Sequence, residues 1–557
     1  MSIHFEEEKQ TEKLEELRKR EAETLAETLA EKYRLPYANL GPVPVDPDAL
    51  RVLPEKEARE AMLAPFNLVN KKLHVGVLSP ENEKTVTALN TLKERGFEPL
   101  LFMVSEESLE KVWSKYADLS YAVEVRGGAI EIGSAEVEKL LRQIKTIADV
   151  ARFIEETLKE ERSYRTTRIL EIILAGALAT AASDIHLEPE EKYVRARLRL
   201  DGVLQDLLNL DRETYTLLLS RIKLLSGLKL NVTAEAQDGR FSVGLGGSDI
   251  EIRTSILPGA YNESVVMRVL NPKSIAVPLE ELGIEAGLLA ILEREIAKPD
   301  GLILTTGPTG SGKTTTLYAF LKKIHKPEVK IITIEDPIEY HLPGIVQTQV
   351  EAEENYTFLL GLRSALRQDP DVLMVGEIRD KETAATAIDA ALTGHLVFST
   401  LHTNNAAGTF PRLIDLGVNP KIISSALSAA MAQRLLRKLC PECKKVLKLS
   451  AKEKETIAKV LEGVDPKEYG VKEIKIFEAV GCQRCNGTGY KGRTGVYEAI
   501  LTDERVEKAI TANPSEREIW KAAKPQGILS LRQDGIIKVL KGITSLEELA
   551  RVLDVEG

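Results

Sequence analysis

The spacing of apolar and polar positions divides the first part of the chain into three segments. Leucines recur near helical spacing in a background of Glu and Lys, which predicts an N-terminal amphipathic helix over residues 1–32. Two apolar runs of strand length then surround a helical run, a pattern typical of a small α/β domain, which we predict over 33–125. Charged residues at helical spacing follow and predict a helical linker over 126–161.

Two larger domains follow along the chain. A long apolar helix and several alternating strands predict an α+β domain over 162–272, and a linker over 273–284 separates it from the rest. Short apolar runs then alternate with helical segments over 285–557, as in a parallel, doubly wound sheet. These apolar runs lie at 302–305, 330–334, 372–375 and 396–399.

Composition narrows the class of protein. The chain has 557 residues, more than one hydrophobic core usually holds. Its net charge of −10 argues against a protein whose main role is to coat nucleic acid. No apolar run reaches the roughly 20 residues that a membrane-spanning helix needs, and the first residues lack the features of a secretory signal. We therefore expect a cytoplasmic protein.

Residues 307–314 carry a phosphate-binding motif. Their sequence fits G-x-x-x-x-G-K-[ST], follows an apolar strand and precedes a helical run. Glycines let successive backbone N–H groups point at phosphate oxygens, and the helix N-terminus attracts the anion. We expect Lys313 to reach the β- and γ-phosphates and the hydroxyl of Thr314 to bind Mg²⁺. The predicted nucleotide-binding residues are Gly307, Pro308, Thr309, Gly310, Ser311, Gly312, Lys313, Thr314 and Thr315.

Acidic residues end two of the predicted core strands. Glu377 ends one of them, and Glu335 with Asp336 ends the strand before it. A P-loop fold places at such a position the carboxylate that serves Mg²⁺ or the attacking water. A solvated turn is the alternative for either glutamate alone. Because ligands bind where parallel strands end, two acidic strand ends after a P-loop favour a catalytic role for both.

All four cysteines fall in two C-x-x-C pairs. Cys440 pairs with Cys443 and Cys482 with Cys485, and 38 residues separate the pairs. Four thiolates leave no position open for water, so the pattern indicates a structural zinc site. We predict a zinc subdomain over 438–490 within the last domain. A redox-active pair is the alternative, and two pairs in one segment disfavour it.

Several motifs together are similar to those of one family. The chain resembles the ATPases of type II secretion and type IV pilus systems in its P-loop, an Asp box, an atypical Walker B segment, a His box and an upstream Ala-Ser-Asp-Ile-His-Leu-Glu-Pro motif. The resemblance extends over nearly the whole chain. The motifs lie, in that order, at 307–314, 334–339, 366–380, 393–404 and 182–189.

This resemblance implies a multidomain α/β architecture. A RecA-like P-loop motor domain would follow a PAS-like α+β domain and a small N-terminal α/β domain, and would carry the zinc-binding insert. Six copies would close into a ring. Glu335 and Glu377 would divide the activation of water and the holding of the Mg²⁺ shell, with either division open. His402 would sense the γ-phosphate, and His395 is a second candidate in the same box.

Arginines of the second domain are candidates for contact with the nucleotide. Arg240 and Arg253 lie in segments that resemble family motifs, whose arginines reach the nucleotide when the second domain closes on the motor domain. Arg199 is a further candidate, and Arg412 matches a family arginine near the subunit contact. The resemblance thus implies a domain rotation that is gated by ATP.

The four-cysteine insert also distinguishes branches of the family, because retraction motors lack both this insert and the extra first domain. The resemblance therefore implies a homo-hexameric motor that uses ATP and Mg²⁺, with structural Zn²⁺, to power assembly of a type IV pilus or a type II secretion pseudopilus. The implied partners are an inner-membrane platform protein and, through the N-terminal domain, other assembly proteins. Direct binding of nucleic acid is not expected. The implied location is cytoplasmic and peripheral to the inner membrane through partners.

Some family members bind cyclic di-GMP through Arg-Leu-Gly-type repeats in an N-terminal domain. No such repeat occurs between residues 1 and 70, so we do not expect a dinucleotide site.

Two other classes of protein remain as alternatives. A nucleic-acid translocase or helicase on the same fold predicts DNA-stimulated ATPase activity. A nucleotide-binding scaffold without motor activity predicts binding without turnover, which the intact Lys313, Thr314, Glu335 and Glu377 disfavour.

Overall fold

A computed structural model describes most of the chain, which divides into two compact units at 1–123 and 124–557. Of the predicted helix over 1–32, residues 22–33 are helical, and residues 1–21 lie outside the described part. The described residues are 22–41, 43, 45–46, 49–50, 52–69, 72–116, 124–125, 129–130, 134–159, 165–245, 248–271, 277–351 and 355–555.

The N-terminal unit is a small α/β structure. Its elements are α1 (22–33), α2 (Glu55–Glu60), β1 (Leu63–Val69), β2 (Lys72–Val77), α3 (Glu83–Glu94), β3 (Glu98–Met103) and α4 (Glu106–Ser114). The sheet has the order β1-β2-β3, with β1 antiparallel and β3 parallel to β2. Because parallel strands need a crossover, α3 joins β2 to β3. Asn82 and Ser105 accept hydrogen bonds from the first turns of α3 and α4 and so begin these helices.

The second unit begins with an antiparallel sheet and its helices. The elements are β4 (Glu124–Val125), β5 (Ala129–Ile130), α5 (Ser134–Gln143), α6 (Ile147–Leu158), α7 (Arg165–Ala179), β6 (Asp184–Pro189), β7 (Val194–Leu200), β8 (Val203–Leu210), α8 (Arg212–Leu225), β9 (Gln237–Leu245), β10 (Ser248–Leu257) and β11 (Ser264–Leu270). Six strands form one sheet in the order β8-β7-β6-β11-β10-β9. Strand β7 alternates buried and half-buried residues, as expected when one face of a sheet packs on a core.

Helices α5 and α6 fall within the predicted linker over 126–161, yet they contribute to this core. Val150 and Ile154 of α6 are fully buried in the same cluster as the apolar face of α7. The close approach depends on Gly176 in α7, where a Cβ would lie 2.6 Å from Val150 Cγ2. Only one narrow face of each helix is apolar and the other positions are largely charged. The sequence pattern therefore predicts a linker instead of a part of the core.

The rest of the second unit is built on a seven-stranded sheet. Its elements are α9 (Ala286–Ile296), β12 (Gly301–Thr306), α10 (Lys313–Ile324), β13 (Ile331–Glu335), β14 (Val346–Gln349), α11 (Phe358–Ala365), β15 (Val372–Val375), α12 (Lys381–Leu392), β16 (Leu396–Leu401), α13 (Thr409–Asp415), α14 (Pro420–Ala426), β17 (Leu427–Leu439), β18 (Lys445–Leu447), α15 (Ala451–Val460), β19 (Ile476–Glu478), β20 (Tyr490–Leu501), α16 (Glu504–Ala512), α17 (Glu516–Ala523), α18 (Leu531–Leu540) and α19 (Leu546–Val552).

The order of the seven strands is β14-β13-β15-β16-β12-β17-β20. Neighbours are parallel except for the antiparallel pair β17 and β20. Every residue of β12, β15 and β16 is buried, because the apolar clusters on both faces of the sheet cover them. Within the described residues, no helix is long and apolar enough to cross a membrane.

The six-stranded sheet also contacts the segment that carries the second cysteine pair. Asp201, in the turn between β7 and β8, accepts a hydrogen bond from the N–H of Gly492 at 2.8 Å. The N–H of Ile147, at the beginning of α6, donates to the Asn486 side chain at 2.9 Å. The two sheets are therefore joined close to the cysteines.

We expect Gly176→Ala to lower the thermal stability of the protein. The new Cβ would lie 2.6 and 2.7 Å from the two γ-carbons of Val150, and overpacking typically costs about 1–3 kcal/mol. Gly287→Ala in α9 is the matched control, because a Cβ there meets nothing within 4 Å and Ala favours a helix by about 1 kcal/mol. Calorimetric melting compares the two. A Gly176→Ala protein that melts as high as the Gly287→Ala protein would contradict this packing.

Candidate active site at the P-loop

A cleft of about 980 Å³ lies between the six-stranded sheet and the carboxyl end of the seven-stranded sheet. Residues 308–315 of the predicted phosphate loop line one side, and residues of β6, β7 and β11 line the other. The topology accounts for this location, because β12, β13, β15 and β16 run parallel and their carboxyl ends meet at one edge.

The phosphate loop turns sharply between β12 and α10. Gly307, Gly310 and Gly312 have φ angles of 146°, 78° and 92°, a region that favours glycine. Gly307 is also closely packed. A Cβ there would lie 2.7 Å from the carbonyl oxygen of Gln433 and 2.9 Å from Nη1 of Arg434. The first turn of the loop is therefore set directly against β17.

Two cations lie beside the loop. The Nζ of Lys313 donates to the carbonyl of Gly307 at 2.8 Å. Burial lowers the pKa of Lys313, Glu377 opposes this effect, and Arg434 adds to it. Burial likewise lowers the pKa of Arg434. Positive charge is thus held where the loop turns.

The remaining loop residues fit a phosphate group and its metal ion. The Oγ of Ser311 is buried and has no hydrogen-bond partner among the described residues. At Gly310 a Cβ would meet nothing within 4 Å, so the space above the loop is open. Thr314 and Thr315 are half-buried in the wall of the cleft. The unpaired hydroxyl of Ser311, the half-buried Lys313 and the N-terminus of α10 suit an anion such as a phosphate.

Glu377 follows β15 and brings two predicted motifs together. Its carboxylate accepts a hydrogen bond from Arg379 and lies 3.5 Å from Nε2 of His402. Arg379 also lies 3.8 Å from the carboxylate of Asp336, which follows β13. The acidic residue of the Walker B segment and the second histidine of the His box therefore face the same part of the cleft.

Glu335, at the end of β13, has a different environment. It is only 3 % exposed. The hydroxyls of Tyr318 and Thr333 and the amide of Gln347 all donate to its carboxylate, the last two at 2.5 and 3.1 Å. Burial raises the pKa of Glu335, and these hydrogen bonds oppose the rise. One predicted glutamate is thus enclosed by donors, and the other faces cations across the cleft.

The six-stranded sheet contributes two arginines to the cleft, Arg199 from β7 and Arg268 from β11. Both are held by Asp184, whose carboxylate oxygens lie 3.2 and 3.3 Å from their Nε atoms. Arg268 is not among the residues predicted from sequence. The available signal is its position directly opposite Arg253 on the neighbouring strand, which only the strand register reveals.

The two arginines predicted for this role lie outside the cleft lining. Arg253 donates to the carbonyl of Ile338 at 2.6 Å and to Glu251 at 2.7 Å. Arg240 is exposed and stands opposite Arg253 on β9. Their contact with a nucleotide stays a prediction, since it needs the sheet to move.

Two weaker candidates are also outside the cleft lining. Arg412 is exposed on α13. His395 precedes β16, and its Nδ1 lies 3.0 Å from the carbonyl of Ala390 at the end of α12. Because His395 and His402 lie at opposite ends of β16, His402 is the one near Glu377.

The four predicted metal ligands converge. The sulfur atoms of Cys440 and Cys482 are 3.8 Å apart, as are those of Cys443 and Cys485. All four sulfurs lie within 4.8 Å of one another. A tetrahedral zinc with Zn–S bonds of about 2.3 Å separates its sulfurs by about 3.8 Å. The geometry fits zinc.

Backbone donors favour a thiolate at one of these positions. The N–H groups of Cys482 and Gly489 donate to Cys485 Sγ at 3.1 and 3.2 Å. Burial alone would raise the pKa of Cys485, but these hydrogen bonds outweigh it and lower the pKa to about 7.

Comparison with known proteins decides the family. The model of the type II/IV secretion system protein family matches residues 159–551, which is more than half of the chain. The chain belongs to this family. It is a P-loop ATPase of the group that includes the type II secretion and type IV pilus ATPases. A second family model, the MshEN domain, matches residues 33–121.

Two relatives show the range of this similarity. The type II secretion system protein E of Pseudomonas aeruginosa is 45 % identical over 409 residues, which cover 73 % of the chain and 80 % of that protein. The type IV pilus assembly ATPase PilB of Myxococcus xanthus is 36 % identical over 535 residues, which cover 95 % and 91 %.

Similarity to a solved structure concerns the fold. The Legionella pneumophila ATPase DotB has a TM-score of 0.51 at 22 % identity, over 71 % of this chain and 97 % of that one. The prediction of a multidomain α/β protein that contains a P-loop ATPase domain of RecA-like fold is confirmed, and the PAS-like assignment of the six-stranded domain stays a prediction.

We expect Gly307→Ala to weaken nucleotide binding by about fivefold to a hundredfold, because the added Cβ would force the loop away from β17 at a cost of about 1–3 kcal/mol. Gly244→Ala in β9 is the control, since the nearest atom to a Cβ there is 3.8 Å away. Calorimetric titration with ADP measures both affinities. Equal affinities would show that the close packing of Gly307 does not shape the phosphate site.

Proposed function

We propose that this chain is a homo-hexameric motor that hydrolyses ATP in the P-loop cleft to power assembly of a type IV pilus or a type II secretion pseudopilus. The observation that carries the proposal is the meeting of Lys313, Glu377 and His402 at the carboxyl end of one parallel sheet.

The roles follow from the environments of the side chains. Lys313 would bind the β- and γ-phosphates, and the hydroxyl of Thr314 would hold Mg²⁺. When bound, Mg²⁺ neutralises charge on the phosphate oxygens. Glu377 activates the attacking water, because its carboxylate faces the cleft with His402 3.5 Å away to sense the γ-phosphate. Glu335 links β13 to α10 through Tyr318 and, when Mg²⁺ is bound, would help to hold its water ligands.

Arginines of the six-stranded domain couple the nucleotide to movement. Arg199 and Arg268 already face the cleft, whereas Arg240 and Arg253 stand in the same cross-strand row. A phosphate group attracts guanidinium groups strongly. Rotation of this PAS-like domain onto the motor domain therefore brings Arg240 and Arg253 to the nucleotide, and release of the products reverses the rotation.

The four cysteines hold a structural Zn²⁺. Its energetic contribution, on the order of 10 kcal/mol, stabilises the loop-rich subdomain at 438–490. The presence of this insert and of an additional N-terminal domain favours an assembly motor over a retraction motor. The type IV pilus assembly relatives support this, since their similarity spans 95 % or more of the chain.

The same reasoning assigns partners and place. An inner-membrane platform protein receives the movement, and the N-terminal domain binds other proteins of the assembly complex. The chain works in the cytoplasm at the inner membrane, which it reaches through these partners.

We expect Lys313→Ala and Glu377→Gln each to reduce ATP turnover by about a hundredfold or more. Glu377→Gln removes the general base, which contributes a factor of about 10²–10⁴, and Lys313→Ala removes the ammonium group that binds the phosphates. Lys508→Gln is the control, because the side chain of Lys508 is exposed and pairs with Glu504 on the same helix, α16. Phosphate release measures turnover. Normal turnover in the Glu377→Gln protein would refute the assignment of the base. Stimulation of the unmodified protein by DNA would instead favour a nucleic-acid translocase.

Metal analysis of the purified protein is expected to find one zinc per chain, and Cys443→Ser is expected to lower both zinc content and melting temperature. Thiol titration of the native protein provides the second measurement. Four reactive thiols together with no zinc would refute the structural metal site.

A further inference from the structure

Arg434, the buried arginine beside the phosphate loop, contributes hydrogen bonds as well as positive charge. Arg434 lies on β17 and is 8 % exposed. Its Nη1 donates to the carbonyl of Gln433 at 2.9 Å, and its Nη2 donates to the carbonyl of Asn404 at 2.7 Å. Burying a charge is costly. Because its two Nη atoms bond to two backbone carbonyls, Arg434 holds the segment at Asn404 at a fixed distance from β17.

Asn404 belongs to the loop that follows β16 and begins with His402. Two other side chains hold the same loop. The hydroxyl of Thr306, which directly precedes the phosphate loop, accepts from the N–H of Thr403 at 2.8 Å. The carboxylate of Glu498 on β20 accepts from the N–H of Ala406 at 2.8 Å. The loop is thus anchored at three successive points, each on an element of the central sheet.

Arg434 and Glu498 act from the same side of the loop. Glu498 is 4 % exposed and also accepts from the N–H of Leu531 at 2.9 Å. Burial lowers the pKa of Arg434, and the negative charge of Glu498 partly opposes this. The two side chains lie on the paired strands β17 and β20, so one takes the carbonyl of Asn404 and the other takes the N–H of Ala406.

Arg434 also touches the phosphate loop. Its Nη1 lies 2.9 Å from the position that a Cβ on Gly307 would occupy. A single guanidinium group therefore lies between the first turn of the phosphate loop and the loop that carries His402.

We propose that Arg434, supported by Glu498, is a positioning residue that fixes the His402 loop against the phosphate loop and so sets the distance between His402 and Glu377. This inference rests on the role proposed above for His402. A lysine cannot replace the arginine, because one ammonium group lacks the planar fork that reaches two carbonyls in fixed directions.

Steady-state kinetics of Arg434→Lys tests the proposal. We expect kcat to fall by about tenfold to a hundredfold, as for a small misplacement of a catalytic group, while KM for ATP changes little. Glu498→Gln is expected to show the same split in a milder form, since one amide oxygen replaces two carboxylate oxygens. Lys438→Gln, an exposed position on the same strand, is the control and should leave both parameters unchanged.

A double-mutant cycle distinguishes an effect of Arg434 through His402 from a direct effect on the phosphates. In a His402→Ala background, Arg434→Lys should cost less than about twofold further in kcat, because residues that act through one group are not additive. An equal loss in both backgrounds would overturn the proposal and indicate that Arg434 acts on the phosphates directly.

Hydrogen exchange gives a readout that does not depend on catalysis by His402. Arg434→Lys should speed the exchange of amides within residues 401–408 and leave exchange in α10 unchanged. Unaltered exchange at 401–408 would overturn the proposal. Normal kcat in His402→Ala alone would refute the role of His402, and faster exchange at 401–408 would still establish Arg434 as the anchor of the loop.

Discussion

The rest of this structure depends on one constraint, which is that several positively charged side chains surround the same cleft. Lys313 is half-buried and Arg434 is buried beside the phosphate loop, and burial lowers the pKa of both. Arg199 and Arg268 face the same space from another sheet. A polyanion relieves the repulsion between these groups. The phosphate binding proposed above would therefore also draw the two sheets together, because one anion attracts cations on both.

The helices and strands of the P-loop domain place these charged side chains at the cleft. Helix α10 directs its N-terminus at the cleft, and four parallel strands end there. The apolar residues that cover both faces of these strands hold the loops in place, so that small differences between loops decide the chemistry. Glu335 and Glu377 illustrate this. Glu335 ends β13 and is surrounded by hydroxyl and amide donors, whereas Glu377 lies two residues after β15 and is bonded by Arg379.

Much of this could be predicted from sequence, for identifiable reasons. The apolar run at 372–375 is the strand Val372–Val375, and the run at 396–399 extends by two residues to Leu401, because buried parallel strands are continuous in hydrophobicity. The phosphate loop and the cysteine pairs depend on local spacing. Arg268 and Arg434 depend on which strand lies next to which, and one arginine in a strand carries no mark of that. The packing of α5 and α6 against α7 likewise depends on which elements are neighbours in the fold, and the sequence of each helix alone does not indicate this.

The six-stranded domain is joined to the four-cysteine segment by two hydrogen bonds, one between Asp201 and Gly492 and one between Ile147 and Asn486. A swing of the sheet that separates these groups must break both bonds, each worth about 1 kcal/mol. The cost arises at the start of the movement, not along its course. In the rotation proposed above, the four-cysteine segment would therefore set a threshold force, below which the six-stranded domain stays in place.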